Sequence, residues 1–258
     1  MIAVESLSFQ YRNRPVLQAL TFGVSKGELV AVLGPNGVGK STLFRCLLGL
    51  TKKYTGIVRI AGKDIKQLSP QQMAERVAFI PQSHAAAFSY SVLEMVVMGL
   101  ANRISKYAVP DKHAYGCAMK ALETLDLGSY ANRQFNHLSG GEQQMILVAR
   151  ALAQEAKVIL MDEPTSNLDY GNQLRVLKRV SALKHEGYTL MLSSHNPQHA
   201  LMFADKVIAL HEGRILAFGN PREVVNAALV ETLYKEPVEM VSIGGEPWIK
   251  PTLERIPR

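Results

Sequence analysis

The chain has 258 residues, 47% hydrophobic and 20% charged, which excludes a disordered segment and supplies enough apolar mass for one large core. Its two cysteines, Cys46 and Cys117, lie outside any CxxC, which excludes a disulfide scaffold and a cysteine metal module and suits a reducing compartment. The net charge of +7 comes from scattered Lys and Arg; it hints at phosphate or acidic lipid, and no basic run with interleaved aromatics points to nucleic acid.

The opening IAVESLSFQY has no basic segment leading into an apolar one, so no signal peptide is expected. Residues 28–34, ELVAVLG, read as a buried strand ending in a glycine turn, and 40–50, KSTLFRCLLGL, as a helix with Cys46 as a core thiol. Between them Gly34, Pro35, Asn36, Gly37, Val38, Gly39, Lys40, Ser41 and Thr42 match G-x-x-x-x-G-K-[ST] in the strand-to-helix setting that gives this motif its meaning. The glycines let the loop curl so that backbone N–H groups face phosphate oxygens, and the helix N-terminus adds its positive end. Lys40 supplies a full charge for the β- and γ-phosphates, and the Ser41 hydroxyl is the expected Mg²⁺ ligand.

IVRIAG and RVAFI read as short strands. From about Val92 to Leu152 no convincing strand occurs, while AYGCAMKALETL and EQQMILVARALAQ carry helical periodicity. The apolar SVLEMVVMGLA is interrupted by Glu94 and falls well short of the ~18 residues of a membrane span. Residues 157–162, KVILMD, form a continuous apolar run of the parallel-sheet type, with Asp162 and Glu163 at its C-terminal end, where open α/β sheets place their ligands. Asp162 is expected to hold Mg²⁺, and Glu163 to face the attacking water, with strand alternation sending the two carboxylates to different tasks. YTLMLSS (188–194) is another strand, and 206–219 reads as two strands joined at Glu212-Gly213. The tail after Val230 reads as extended, punctuated by Pro and Gly. The alternation predicts an α/β fold with an inserted helical subdomain.

The turn Leu138-Ser139-Gly140-Gly141-Glu142-Gln143-Gln144 precedes a helix and makes an anion site of Ser139 and the Gly140 and Gly141 amides; standing alone, it reads as an ordinary Ser N-cap. Together with the phosphate loop and the Asp162-Glu163 strand end, it resembles the signature of the ABC ATPases, and the resemblance covers nearly the whole chain. The resemblance implies a RecA-like P-loop core in residues 1–87 and 153–230 with an N-terminal antiparallel β subdomain. It implies a helical signature subdomain in 88–152 and a C-terminal extension in 231–258.

It also implies ATP and Mg²⁺ as ligands, and two cassettes paired head to tail, with Ser139, Gly140 and Gly141 capping the γ-phosphate held by the other subunit. Gln82 in AFIPQS resembles the glutamine that touches Mg²⁺ and the attacking water. His195 in LSSHN resembles the histidine on the γ-phosphate and Glu163, Asp169 the acid of the loop that senses the other site, and Tyr11 the aromatic that stacks on adenine. Plainer alternatives are a polar strand end for Gln82, a packed or surface histidine for His195, a solvated turn acid for Asp169 and a core aromatic for Tyr11. Met145 and Asn196 depart from the common arginine and aspartate of the family, at positions that perform no chemistry.

SYSVLEMVVMG and HNPQHALMFADKVIALHEGRILAFGNPREVV resemble importers of the iron–siderophore, haem and cobalamin type. For such a protein the expected partners are a second copy, integral membrane permease subunits and, indirectly, an extracytoplasmic substrate-binding protein, with the chain peripheral on the cytoplasmic face of the membrane. No nucleic-acid partner is expected, because 83–138 is too short for the coiled coil or zinc module of the chromosome ATPases. A soluble ABC ATPase without a permease, of the iron–sulfur assembly type, is the alternative.

Overall fold

The computed structural model describes residues 1–51, 53–82, 89–104 and 108–252. In chain order these form β1 (Ile2–Tyr11), β2 (Arg14–Val24), β3 (Leu29–Leu33), α1 (Lys40–Leu47), β4 (Thr55–Ile60), β5 (Lys63–Asp64), α2 (Pro70–Ala74), β6 (Val77–Ile80), α3 (Val92–Val97), α4 (Lys112–Thr124) and α5 (Gly140–Ala153). There follow β7 (Val158–Met161), α6 (Tyr170–Ala182), β8 (Thr189–Ser194), α7 (Pro197–Phe203), β9 (Lys206–His211), β10 (Arg214–Gly219), α8 (Pro221–Val224), α9 (Ala227–Tyr234), β11 (Val238–Ile243) and β12 (Glu246–Pro251).

A six-stranded sheet in the order β10-β9-β3-β8-β7-β6 is parallel throughout except for the antiparallel β9–β10 edge. Its central strands are apolar on both faces. Along β3, Leu29, Ala31 and Leu33 join one core cluster while Val30 and Val32 join the other, and β7, β8 and β9 divide in the same way. The period of two sends alternate side chains to opposite faces, so a continuous apolar run requires a layer on each side. On one face α5 and α7 pack against the strands, and the same core continues into α3, α4, α6 and α9. The other is covered by α1 and by the antiparallel sheet β2-β1-β4-β5. Each buried Val, Leu or Ile contributes about 1.5–3 kcal/mol relative to exposure.

The helical stretch is closed by its own ends. Ser91 bridges Gln134, and Val92 and Leu93 donate to the carbonyls of Arg133 and Ala131 at 2.9 Å. Two of its helices start on capping boxes, Ser91 with Glu94 for α3 and Ser139 with Glu142 for α5, and Asp111 caps α4, which satisfies orphan amides of the first turns. Gly99 sits where a Cβ would lie 2.2 Å from the Arg150 carbonyl oxygen, so only glycine lets the end of α3 approach α5. The expected boundary at 87/88 lies outside the described residues, and no helix among those described is long and apolar enough to cross a membrane.

The tail is extended from Val238 to Pro251, as expected, but its start is helical. Residues 231–234 belong to α9, which Asn226 caps and which buries Leu229, Val230 and Leu233, and the helix stops before Pro237. The expected boundary after Val230 therefore cuts through a helix. Beyond it, β11 and β12 form a hairpin turning on Gly244 and Gly245, both at positive φ.

Gly99→Ala is expected to lower unfolding free energy by about 1–3 kcal/mol, because a methyl group is forced against a backbone carbonyl that cannot rotate away; chemical denaturation measures it. Burial pushes the Cys46 thiol up to about 12. Iodoacetamide near neutral pH should therefore alkylate Cys117 and leave Cys46 untouched until the chain is unfolded, which peptide mass mapping would read directly.

Candidate active site

Four neighbouring parallel strands end at one edge of the sheet, and each delivers part of one site. β3 leads into Gly34, β6 into Gln82, β7 into Asp162 and β8 into His195. Register aligns these ends: Leu33 lies opposite Ser194, Met161 opposite Leu192 and Ile80 opposite Met161. This is the edge where doubly wound sheets bind ligands.

The loop 34–39 is shaped by three glycines in backbone conformations that disfavour side chains, Gly34 at φ 153°, Gly37 at 80° and Gly39 at 115°. A Cβ on Gly34 would meet the Leu210 carbonyl oxygen at 2.7 Å, and one on Gly39 would meet Leu17 at 3.0 Å. Asn36, Gly37, Gly39, Lys40, Ser41, Thr42, Gln82 and Glu163 line a cavity of about 260 Å³. Larger cavities lie elsewhere: those beside α2 and α3 have far more apolar linings, and another, of about 460 Å³, is lined mainly by β1 and β2.

Lys40 is buried, 5% exposed, and its ammonium donates to the carbonyls of Gly34 (2.7 Å) and Pro35 (3.2 Å) while pairing with Glu163 Oε1 at 3.2 Å. The other Glu163 oxygen accepts from Gln82 Nε2 at 3.2 Å and lies 3.4 Å from His195 Nδ1. Three of the residues expected to carry the chemistry thus converge on the fourth. Asp162 is also buried, and its Oδ1 accepts from Ser193 Oγ at 2.6 Å.

The divergence of Asp162 and Glu163 has a different cause from the strand alternation expected. β7 ends at Met161, and Glu163 adopts a left-handed φ of 46°. For a non-glycine residue this conformation costs about 1–3 kcal/mol, and the surroundings hold it. The Glu163 N–H donates to Ser193 Oγ at 2.8 Å, and its carbonyl accepts from the Ser166 N–H and hydroxyl at 3.0 and 2.9 Å. Ser193, which ties Asp162 to the Glu163 backbone, was not singled out from the sequence. The available signal was two serines ending an otherwise apolar strand.

Ser139, Gly140 and Gly141 do not line the cavity. Ser139 Oγ caps α5 and donates to Glu142 Oε2 at 2.7 Å, so the plain N-cap reading holds within this chain. The two glycines are needed for packing: a Cβ on Gly141 would meet the Asn172 side chain at 2.6 Å, and one on Gly140 would meet Leu168 at 3.1 Å. Asp169 caps α6, accepting from the Asn172 N–H at 2.9 Å and its side-chain amide at 2.7 Å, bonds that hold the carboxyl below its usual range. The signature turn and the Asp169 loop therefore form one packed unit. Tyr11 stands apart at the end of β1, 46% exposed and edge-on to Phe9 at 4.7 Å.

Ser193→Ala should lower turnover and cost about 1–3 kcal/mol of stability, since the Glu163 amide and the buried Asp162 oxygen both lose their partner; steady-state hydrolysis and thermal melting on the same preparation check both effects.

The ABC transporter family model matches residues 17–166. The molybdate import ATP-binding protein MolC of Haemophilus influenzae is 37% identical over 239 residues, 92% of this chain and 89% of that protein. A probable iron chelatin transport ATP-binding protein of Helicobacter pylori strain 26695 is 34% identical over 243 residues, 93% of this chain and 95% of its own. A solved metal-chelate type ABC transporter in an inward-facing conformation superimposes with a TM-score of 0.86 at 34% identity, covering 98% of both chains. With phosphate loop, acidic strand end and signature turn carried on the family's α/β scaffold, this chain belongs to the ABC transporter family as an ATP-binding, ATP-hydrolysing subunit.

Proposed function

We propose that this chain energises a membrane importer for a metal chelate or similar metal-containing solute, using sites shared by two copies closed head to tail. The observation that carries the catalytic part is the convergence of Lys40, Gln82 and His195 on Glu163 at the mouth of the phosphate loop. Such an arrangement suits phosphoryl transfer, where positioning and charge neutralisation matter more than covalent chemistry. In this reading the backbone N–H groups from Asn36 to Thr42 and the Lys40 ammonium hold the phosphates, with Gly34 and Pro35 shaping the loop, and Tyr11 stacks on the base. Glu163 accepts the proton of the attacking water, with Gln82 and His195 fixing the carboxylate and the γ-phosphate end.

Ser41, Gln82 and Asp162 offer oxygens of the hard kind that Mg²⁺ takes; Ser41 and Gln82 line the cavity, and Asp162, held by Ser193, would act through water. When bound, such an ion would supply positive charge against the phosphates. The absence of Ser139, Gly140 and Gly141 from the cavity lining supports their acting on the other subunit's nucleotide. Asp169, packed with them, then reports one site to the other.

The names of MolC and of the iron chelatin protein, and the metal-chelate type of the solved transporter, support the importer reading. A permease would place the chain at the cytoplasmic face of the membrane and would dock near 83–100. Of that segment 83–88 lie outside the described residues, while Tyr90, Val97 and Met98 line an apolar cavity of about 520 Å³ beside α3. A substrate-binding protein outside the membrane would choose the cargo.

Glu163→Gln should keep nucleotide binding and lower turnover by about 10²–10⁴, the weight of a general base, with an ATP-bound dimer accumulating on a sizing column. Wild-type turnover in this variant would remove Glu163 from its role. Shared sites are tested by mixing Ser139→Arg and Lys40→Ala subunits: in a mixed dimer one site carries both lesions and the other neither, so activity should exceed that of either variant alone. Hydrolysis by a strictly monomeric chain, at a specific rate independent of protein concentration, would refute the head-to-tail arrangement.

A further inference from the structure

The hairpin β11–β12 pairs with neither main sheet. Val238, Met240 and Ile249 rest against the larger core cluster, and its polar anchorage to α7 is one side chain, Gln198. Gln198 Oε1 accepts from the Ile249 N–H at 3.0 Å, and Gln198 Nε2 donates to the Pro247 carbonyl at 3.3 Å. In an antiparallel pair, alternate residues turn their backbone groups away from the partner strand, and 247 and 249 are two such residues. The carboxamide thus takes the place of a neighbouring strand along the free edge of β12.

Gln198 lies in the first turn of α7, three positions after His195. Its N–H donates to Asn196 Oδ1 at 2.9 Å, and the Asn196 N–H donates to Ser194 Oγ at 3.0 Å. The linkage therefore runs from the hairpin through Gln198 and the Asn196 cap to Ser194, which fixes the backbone on both sides of His195, whose ring meets Glu163. His195 needs such support: its side chain is 56% exposed and meets Glu163 at 3.4 Å, so core packing does not fix it.

We propose that Gln198 is a positioning residue for His195, with the C-terminal hairpin as the strut it braces against. The proposal rests on the reading of His195 as a group that fixes Glu163 and the γ-phosphate. Side chains that hold reacting groups from behind act through geometry, and their loss shows in turnover before it shows in binding.

The test uses the full chain with Gln198→Met, which keeps the length of the side chain and removes both hydrogen bonds. Gln198→Glu serves as a second variant that is safe for folding, because an acid in the first turn suits the helix dipole and still accepts from the Ile249 N–H. Faster amide exchange at Ile249 shows that the clamp is released in the Met variant. With it, kcat should fall about fivefold or more while the KM for ATP and the affinity for ADP stay within about twofold of the parent, and the Glu variant should fall between. Unchanged kcat with a released clamp, alongside an inactive His195→Ala, overturns the positioning role and leaves His195 in place. A joint loss of kcat and nucleotide affinity also overturns it, since that marks general loosening of the site. Full turnover in His195→Ala removes the reading on which the proposal stands.

Discussion

The ion pair between Lys40 and Glu163 is the constraint around which the site is built. Both groups are nearly dry, and taking two such charges out of water costs several kcal/mol per ion unless the remaining hydrogen-bonding capacity is satisfied. Here it is. Lys40 has the Gly34 and Pro35 carbonyls besides the carboxylate, and Glu163 has Gln82 and His195. The arrangement connects the loop after β3 with the ends of β6, β7 and β8, so a shift of any one strand end disturbs the others. It also sets the ammonium beside the carboxylate at the mouth of the phosphate loop, where an incoming phosphate would compete for Lys40.

That network is possible because four parallel strands stop at the same level. The buried sheet supplies the precision: β3, β7 and β8 are apolar on both faces, and the two core clusters grip them from either side. One of the chain's left-handed non-glycine residues stands at the site. Glu163 holds a left-handed backbone, and the bonds that stabilise it come from Ser193 and Ser166, one on the adjacent strand and one in the following turn. A rigid sheet bears a distorted turn, which aims one carboxylate into the cavity and leaves its neighbour bound to the sheet.

The second functional unit is held together by steric fit. Gly140 and Gly141 lie against Leu168 and Asn172 so closely that no Cβ fits beside Asn172 without a shift. The glycines of the signature turn therefore serve two ends at once. They leave amides open at the start of α5, and they tie that turn to the loop ending in Asp169. Motion of the helical stretch would carry the Asp169 loop with it.

Much of this was written in the sequence because it depends on local rules. The loop from Gly34 to Thr42, the apolar strand before Asp162, the Ser139 cap with Glu142 three positions on, and the absence of strands between Val92 and Leu152 each follow from spacing within a few residues. Tertiary structure decided most of the rest. The bridge of Ser193 from Asp162 to the Glu163 amide joins two strands and has no local signature. The left-handed turn at Glu163 arises because the chain must leave the sheet just there, so alternation along a strand could not foretell which way the carboxylate points. The helical start of the tail was masked by its Pro and Gly residues, although Asn226 and the Leu229-Val230-Leu233 spacing did signal it locally. The hairpin's attachment through Gln198 joins residues about fifty positions apart; short-range pattern fixes an element, but only the folded chain decides which edge it meets.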